Sequence, residues 1–128
     1  MENLRRSNNA KNYCGMKREI KFRGKSLHTG EWHYGDLVQP TDNTVFIQER
    51  GTAGFLSNPE TIGQFTGLHD KNGIEIYEGD LVEIYSRDED DEDEPIRIGE
   101  VKFIDGVFVL AYDKITLPMN ALYRQHSR

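Results

Sequence analysis

The chain has 128 residues, 36% hydrophobic and 30% charged, which suits one domain built on one core. No apolar run approaches the roughly 20 residues of a membrane span, and the polar, basic start lacks the apolar stretch of a secretory signal. A single cysteine, Cys14, excludes an internal disulfide and a cysteine-built zinc site and fits a reducing cytoplasm.

The net charge of −6 is unevenly spread. Residues 1–25 hold eight basic residues against two acidic ones, a net of +6, whereas Asp88 to Glu94 are seven consecutive acids. The basic segment can meet nucleic-acid phosphates. The plainer reading, preferred here, is a soluble leader entering an edge strand whose charges discourage aggregation, so direct nucleic-acid binding is not expected. The acidic run reads as a self-repelling, solvated loop. A further expectation joins the two: the basic segment of one copy meets the acidic loop of another in a homo-oligomer, through salt-sensitive contacts.

In chain order, residues 1–15 show no apolar period and read as a flexible leader upstream of a natural start at Met16. Residues 16–128 then form one β domain carrying the acidic loop 88–94. Ile20 and Phe22 alternate with charged residues, the period of a half-buried strand. His28 to Glu31 is a turn. Glu31 to Val38 is a strand with Trp32 and Tyr34 on one face and His33 on the other. Pro40 to Asn43 is a turn, Thr44 to Gln48 a short strand, Arg50 to Pro59 a loop, and Thr61 to Gly67 a strand or irregular edge. Asp70-Lys71-Asn72-Gly73 is the sharpest local signal, a type I turn closing on a glycine bulge, with positive φ expected at Gly73. It joins Gln64–His69 to Ile74–Tyr77, where Ile74 and Ile76 face one way. Asp80 to Ser86 is a strand with Val82 and Ile84 inward. Ile96 to Ile104 and Val107 to Tyr112 form a hairpin about Asp105-Gly106. Pro118 introduces a helical turn over Met119 to Tyr123.

Gly30 to Val38 and Gly73 to Val82 echo each other: turn, strand, tyrosine, Gly-Asp, then Leu-Val. Either the echo means that Gly35-Asp36 and Gly79-Asp80 redirect the chain alike, or it is a chance likeness between two β segments. The expected core is Phe22, Trp32, Phe46, Ile62, Leu68, Ile76, Val82, Ile84, Val101, Phe103 and Phe108.

No residue pattern announces a reaction. The histidines, at 28, 33, 69 and 126, lack the three or four ligands of a zinc site. Asp70 to Gly73 and Asp88 to Glu94 lack the sixth-position glycine of a calcium loop. There is no phosphate-binding glycine loop and no nucleophile elbow. Trp32, Tyr34, Tyr77 and Tyr85 are the candidate binding residues, as a stacking or peptide-binding platform, with core filling as the alternative. No catalytic residue, metal or cofactor is expected.

Arg18-Glu19-Ile20-Lys21-Phe22-Arg23 and the segment from Gln64 to Val82, with Thr66-Gly67-Leu68, Asp70, Asn72-Gly73 and Ile76-Tyr77-Glu78-Gly79-Asp80, resemble the YopX family of phage and prophage proteins. The resemblance covers residues 16–112. The family's usual Asn-rich ending is missing, and the acidic loop reads as an insertion. The resemblance implies a mainly β fold with a partial barrel; the expectation here is a small, partly SH3-like one over Asp80–Val109, packed against additional hairpins. It implies no established activity. Gly67, Asp70, Asn72, Gly73, Gly79 and Asp80 are expected to shape backbone rather than touch a ligand. The functional expectation is a non-catalytic binding or assembly module with a protein partner in the bacterial host cytoplasm. The alternatives are an acidic, nucleic-acid-mimicking inhibitor of a host DNA-binding enzyme, and an enzyme using His69, Asp70, Glu78 and Asp80 around a metal.

Overall fold

The structure, a computed structural model, describes residues 3–8, 18–85 and 97–120. The acidic run and most of the leader lie outside them. Ten strands follow one another: β1 (Phe22–Lys25), β2 (Trp32–Thr41), β3 (Thr44–Gln48), β4 (Phe55–Ser57), β5 (Gly63–His69), β6 (Glu75–Tyr77), β7 (Leu81–Ile84), β8 (Arg97–Ile104), β9 (Val107–Tyr112) and β10 (Ile115–Pro118). They make two antiparallel sheets, β4-β3-β2-β1-β5-β6 and β10-β9-β8-β7. The fold is therefore mainly β, as the alternation of apolar and charged residues foretold.

Neither sheet closes into a full barrel, but the first curls far enough for its end strand β4 to reach the end of β1. The end of β1 has β2 on one side and β4 on the other: Asn58 N–H donates to the Lys25 carbonyl at 2.9 Å and Leu27 N–H to the Leu56 carbonyl at 3.0 Å. Small residues make that approach geometrically feasible. A Cβ on Gly24 would stand 2.7 Å from Ile62 Cδ1 and 3.1 Å from Ile47 Cγ1, beside the buried Ser26 and Ser57. Val45 and Ile47 fill this first core. A second core lies on the four-stranded sheet, where Ile76, Val101, Leu110 and Met119 pack with Leu68, Val82, Ile84 and Phe108. Ile76 is the one buried residue that the first sheet contributes to it.

Several boundaries differ from expectation. Strand β2 runs through Pro40 to Thr41, past a register shift after Val38, and the turn is only Asp42-Asn43. The expected loop over residues 50–59 contains β4, paired to β3 through Ile47, Phe46 and Val45. A hairpin about Asp113-Lys114 adds β10, with Asp113 at φ 51°. Met119 and Asn120 are helical, and the rest of the expected turn lies outside the described residues. Of the expected core, Ile76 and Val101 are buried, and Phe22, Phe46, Ile62, Leu68, Val82, Ile84 and Phe108 are half-buried. Trp32 and Phe103 are exposed, at 37% and 53%. On β2 the inward position falls to His33, which stacks on Phe55 at 3.6 Å between ring centres and bonds Glu49 at 3.0 Å, so its neighbour Trp32 must face out. Ile74 does not share the burial of Ile76: it is 63% exposed in the turn.

The Gly-Asp echo has no structural counterpart. Gly35-Asp36 lies inside continuous β2, where the Gln48 carbonyl occupies the space of a Cβ at Gly35. Gly79-Asp80 is a true turn, with Gly79 at φ 95°.

Candidate functional site

The outward face of the six-stranded sheet is built by period 2. Lys21, Arg23 and Lys25 alternate with the inward Phe22 and Gly24, and Arg23 pairs with Tyr34 and Lys25 with Trp32. On the other flank Arg23 pairs with Gly63, and Phe65 with Tyr77. Three cations are thus laid among four aromatic rings.

Arg23 is its centre. The guanidinium lies 4.3 Å from the Trp32 ring centre and 5.3 Å from that of Tyr77, at cation–π range. Its Nη1 donates to Asp80 Oδ1 at 2.6 Å, and Nη2 reaches the Glu78 carbonyl at 3.4 Å. Asp80 Oδ2 accepts the Tyr77 N–H at 2.8 Å, while the Asp80 N–H closes the turn on the Tyr77 carbonyl at 3.0 Å. The same turn reaches the second sheet: Gly79 N–H donates to the Val101 carbonyl and Val101 N–H to the Asp80 carbonyl, at 2.8 and 2.9 Å. One aspartate therefore joins β1, the β6–β7 turn and, through its backbone, β8.

A second ion pair sits beside it. Lys21 Nζ contacts Glu75 at 2.5 Å and Glu19 at 3.2 Å, and lies 5.3 Å from the Phe65 ring centre. Burial alone would lower the Lys21 pKa, but the Glu75 and Glu19 carboxylates outweigh it and hold the ammonium above the usual lysine value. The Tyr77 hydroxyl donates to Glu75 at 3.2 Å, and burial, reinforced by that carboxylate, pushes its pKa well above the ordinary tyrosine value.

Of the four candidate aromatics, Trp32, Tyr34 and Tyr77 come together. Tyr34 and Tyr77 are tilted rings 5.4 Å apart, and Arg23 bridges Tyr77 to Trp32. Tyr77 is buried beneath the face, so Trp32 and Tyr34, 37% and 44% exposed, form its accessible part. Tyr85 belongs elsewhere. Its hydroxyl donates to Glu83 at 2.6 Å, which raises its pKa, and Lys71 lies 4.6 Å from its ring centre. Arg23 and Lys25 were not singled out from the sequence. Their signal was there, in cations recurring at every second residue of one strand.

Of the carboxylates weighed for catalysis, Asp70 and Asp80 hold turns, whereas the Glu78 carboxylate has no partner among the described residues. Asp70 Oδ1 accepts the Asn72 and Ile74 N–H groups at 2.8 and 2.9 Å, holding a turn in which Gly73 has φ 81°. Gly67, at φ 86°, stands in the bulge between Phe65 and His69. Both Asp80 oxygens have partners, as above. Among the described residues no three His, Cys, Asp or Glu side chains are placed to hold a metal ion.

The YopX protein family model matches residues 21–125, most of the chain. The chain belongs to the YopX family. The match runs past residue 112, through the second sheet to beyond β10, so the expected loss of family likeness at the C-terminal end does not occur. No curated protein and no solved structure matches the chain. Both segments that carried the resemblance meet at the site: the first supplies Lys21 and Arg23, the second Phe65, Glu75, Tyr77 and Asp80. No helix among the described residues is long and apolar enough to cross a membrane.

Proposed function

We propose that this YopX protein is a non-catalytic binding module of phage or prophage origin, working in the bacterial host cytoplasm and holding a protein partner against the Trp32–Tyr34 face. The observation that carries this reading is the pairing of exposed aromatic area with a rigid support. Trp32 and Tyr34 stand on a sheet face pinned by the Arg23–Asp80 ion pair. Large aromatic side chains on a stiff scaffold are the usual anchors of interfaces, because they bury much area at little entropic cost. The commitment of Asp70 Oδ1 to its own turn and of both Asp80 oxygens to backbone and arginine argues in the same direction.

The test is affinity capture from the expressing host cell with three forms of the full chain: unaltered, Trp32→Ala/Tyr34→Ala, and with Asp88 to Glu94 replaced by Gly/Ser. A partner kept by the first and third forms and lost by the second is expected. A partner lost only with the acidic run would overturn this reading in favour of a nucleic-acid-mimicking inhibitor.

A further inference from the structure

The two sheets meet at an open cleft of about 380 Å³, lined by Arg23, Ile62, Glu60 and Glu78 on one side and by Val101 to Ile104 of β8 on the other. Three features of its wall are unspent. The first is a donor: Arg23 Nε is buried and has no hydrogen-bond partner, a costly state for a polar group unless something supplies an acceptor. The second is a strand edge. Val101 bonds across to Gly79 and Asp80 with both its N–H and its carbonyl. By the period of a strand, Phe103 points its N–H and carbonyl the same way, two residues on. No strand stands opposite, because β7 begins only at Leu81 and pairs with β8 no further than Glu100, while Glu78 has turned away to give its N–H to the Gln64 carbonyl. The third is charge. Arg23 is matched by Asp80 and Lys102 by Glu100, at 2.6 and 3.9 Å, which leaves Glu60 and Glu78 as the wall's uncompensated charges among the described residues.

We infer that this cleft binds an extended, basic peptide segment of a protein partner by strand addition along β8. The peptide backbone pairs with the Phe103 N–H and carbonyl, and one of its carbonyls accepts the Arg23 Nε–H. Lysine or arginine side chains on one face reach Glu60 and Glu78, and apolar side chains on the other rest on Phe103, which is 53% exposed. This accounts for an exposed phenylalanine in the same cleft as an unpartnered arginine Nε–H. An anionic ligand is disfavoured by the same two glutamates. The site shares Arg23 with the Trp32 face, but its β8 edge, Glu60 and Glu78 lie outside that face, so either can fail without the other.

The test is a titration of the isotope-labelled full chain, followed by amide and arginine Nε–H resonances, with acetyl-(Lys-Val)3-amide as probe and acetyl-(Glu-Val)3-amide as control. Saturable shifts of the Phe103 amide and the Arg23 Nε–H with the lysine peptide alone are expected. They should persist in Tyr34→Ala, which leaves Trp32 in place over Arg23, and weaken at least tenfold in affinity in Glu60→Lys/Glu78→Lys, with its fold checked by circular dichroism. If that variant does not fold, Glu60→Gln/Glu78→Gln should show a smaller loss of the same sign. No saturable shift at Phe103, equal response to both peptides, or shifts confined to Trp32 and Tyr34 would overturn the inference.

Discussion

Asp70 and Asp80 stand ten positions apart in the segment that marks this family, and both hold a turn by accepting backbone N–H groups. Their neighbourhoods differ. Asp70 bonds only within its own hairpin, to Asn72 and Ile74, in an exposed turn. Asp80 bonds its own turn and also a largely buried arginine from the other end of the chain, in a turn stitched to the second sheet. The first aspartate shapes four residues; the second decides how two sheets and an aromatic face sit together. A shared residue type and a shared hydrogen-bond device thus carry very different weight, set by what else the carboxylate touches.

The largest expected break in that comparison is Asp80→Ala. It removes the cap on Tyr77 N–H and leaves Arg23 buried without its counter-charge, which should cost about 3 kcal/mol in denaturant unfolding. Asp70→Ala loses two bonds in an exposed turn and should cost about 1 kcal/mol. Equal losses would erase the distinction. The paired glycines sharpen it. Gly79→Ala meets strain at φ 95° in the turn that is stitched to β8 and holds Arg23, with Arg23 Nη2 in ordinary contact 3.6 Å from the new Cβ, whereas Gly73→Ala meets strain at φ 81° in open space. Gly73→Ala should cost about 1 kcal/mol, and Gly79→Ala more, with altered Trp32 fluorescence only for Gly79→Ala.

Alkaline titration probes the same face. Tyr77 keeps its proton to higher pH in the folded chain than when unfolded, so its contribution to stability is whole below the ordinary tyrosine value near 10 and is lost as pH rises toward its raised folded value. The raised Lys21 value acts in the same direction. Stability should therefore fall as pH climbs above about 10, and Tyr77→Phe should flatten part of that slope, measured by urea unfolding at matched pH. The smallest effect is expected at Asp36, the echo of Asp80. It is exposed and has no side-chain partner among the described residues, so Asp36→Asn should stay within about 0.5 kcal/mol.

What the sequence disclosed follows the range of the interaction. The Asp70–Gly73 and Asp105-Gly106 turns were readable because their cause is local: an aspartate beside a glycine, with φ 81° at Gly73 and φ 52° and 80° at Asp105 and Gly106. The second hairpin at Asp113-Lys114 was not, since Asp113 takes φ 51° with no glycine after it to signal the turn. Strand β4 was hidden because three residues among glycines show no period, and their pairing with β3 and with the end of β1 is tertiary. Gly35-Asp36 looked like Gly79-Asp80, yet a close approach by the Gln48 backbone, not a turn, explains its glycine. Of the site, Trp32 and Tyr34 were legible as two aromatics on one strand face. Arg23 was legible only as one of the alternating cations of β1; its pairing with Asp80 was not, because no local pattern connects the two.

The central claim is that Arg23 and Asp80 act as one unit that supports the aromatic face. A double-mutant cycle with Arg23→Met and Asp80→Asn, read by urea unfolding, tests it most directly. The account predicts strong coupling, about 2 kcal/mol or more, with the double variant less damaged than the sum of the single ones. Additive losses, with coupling below about 0.5 kcal/mol, would contradict it.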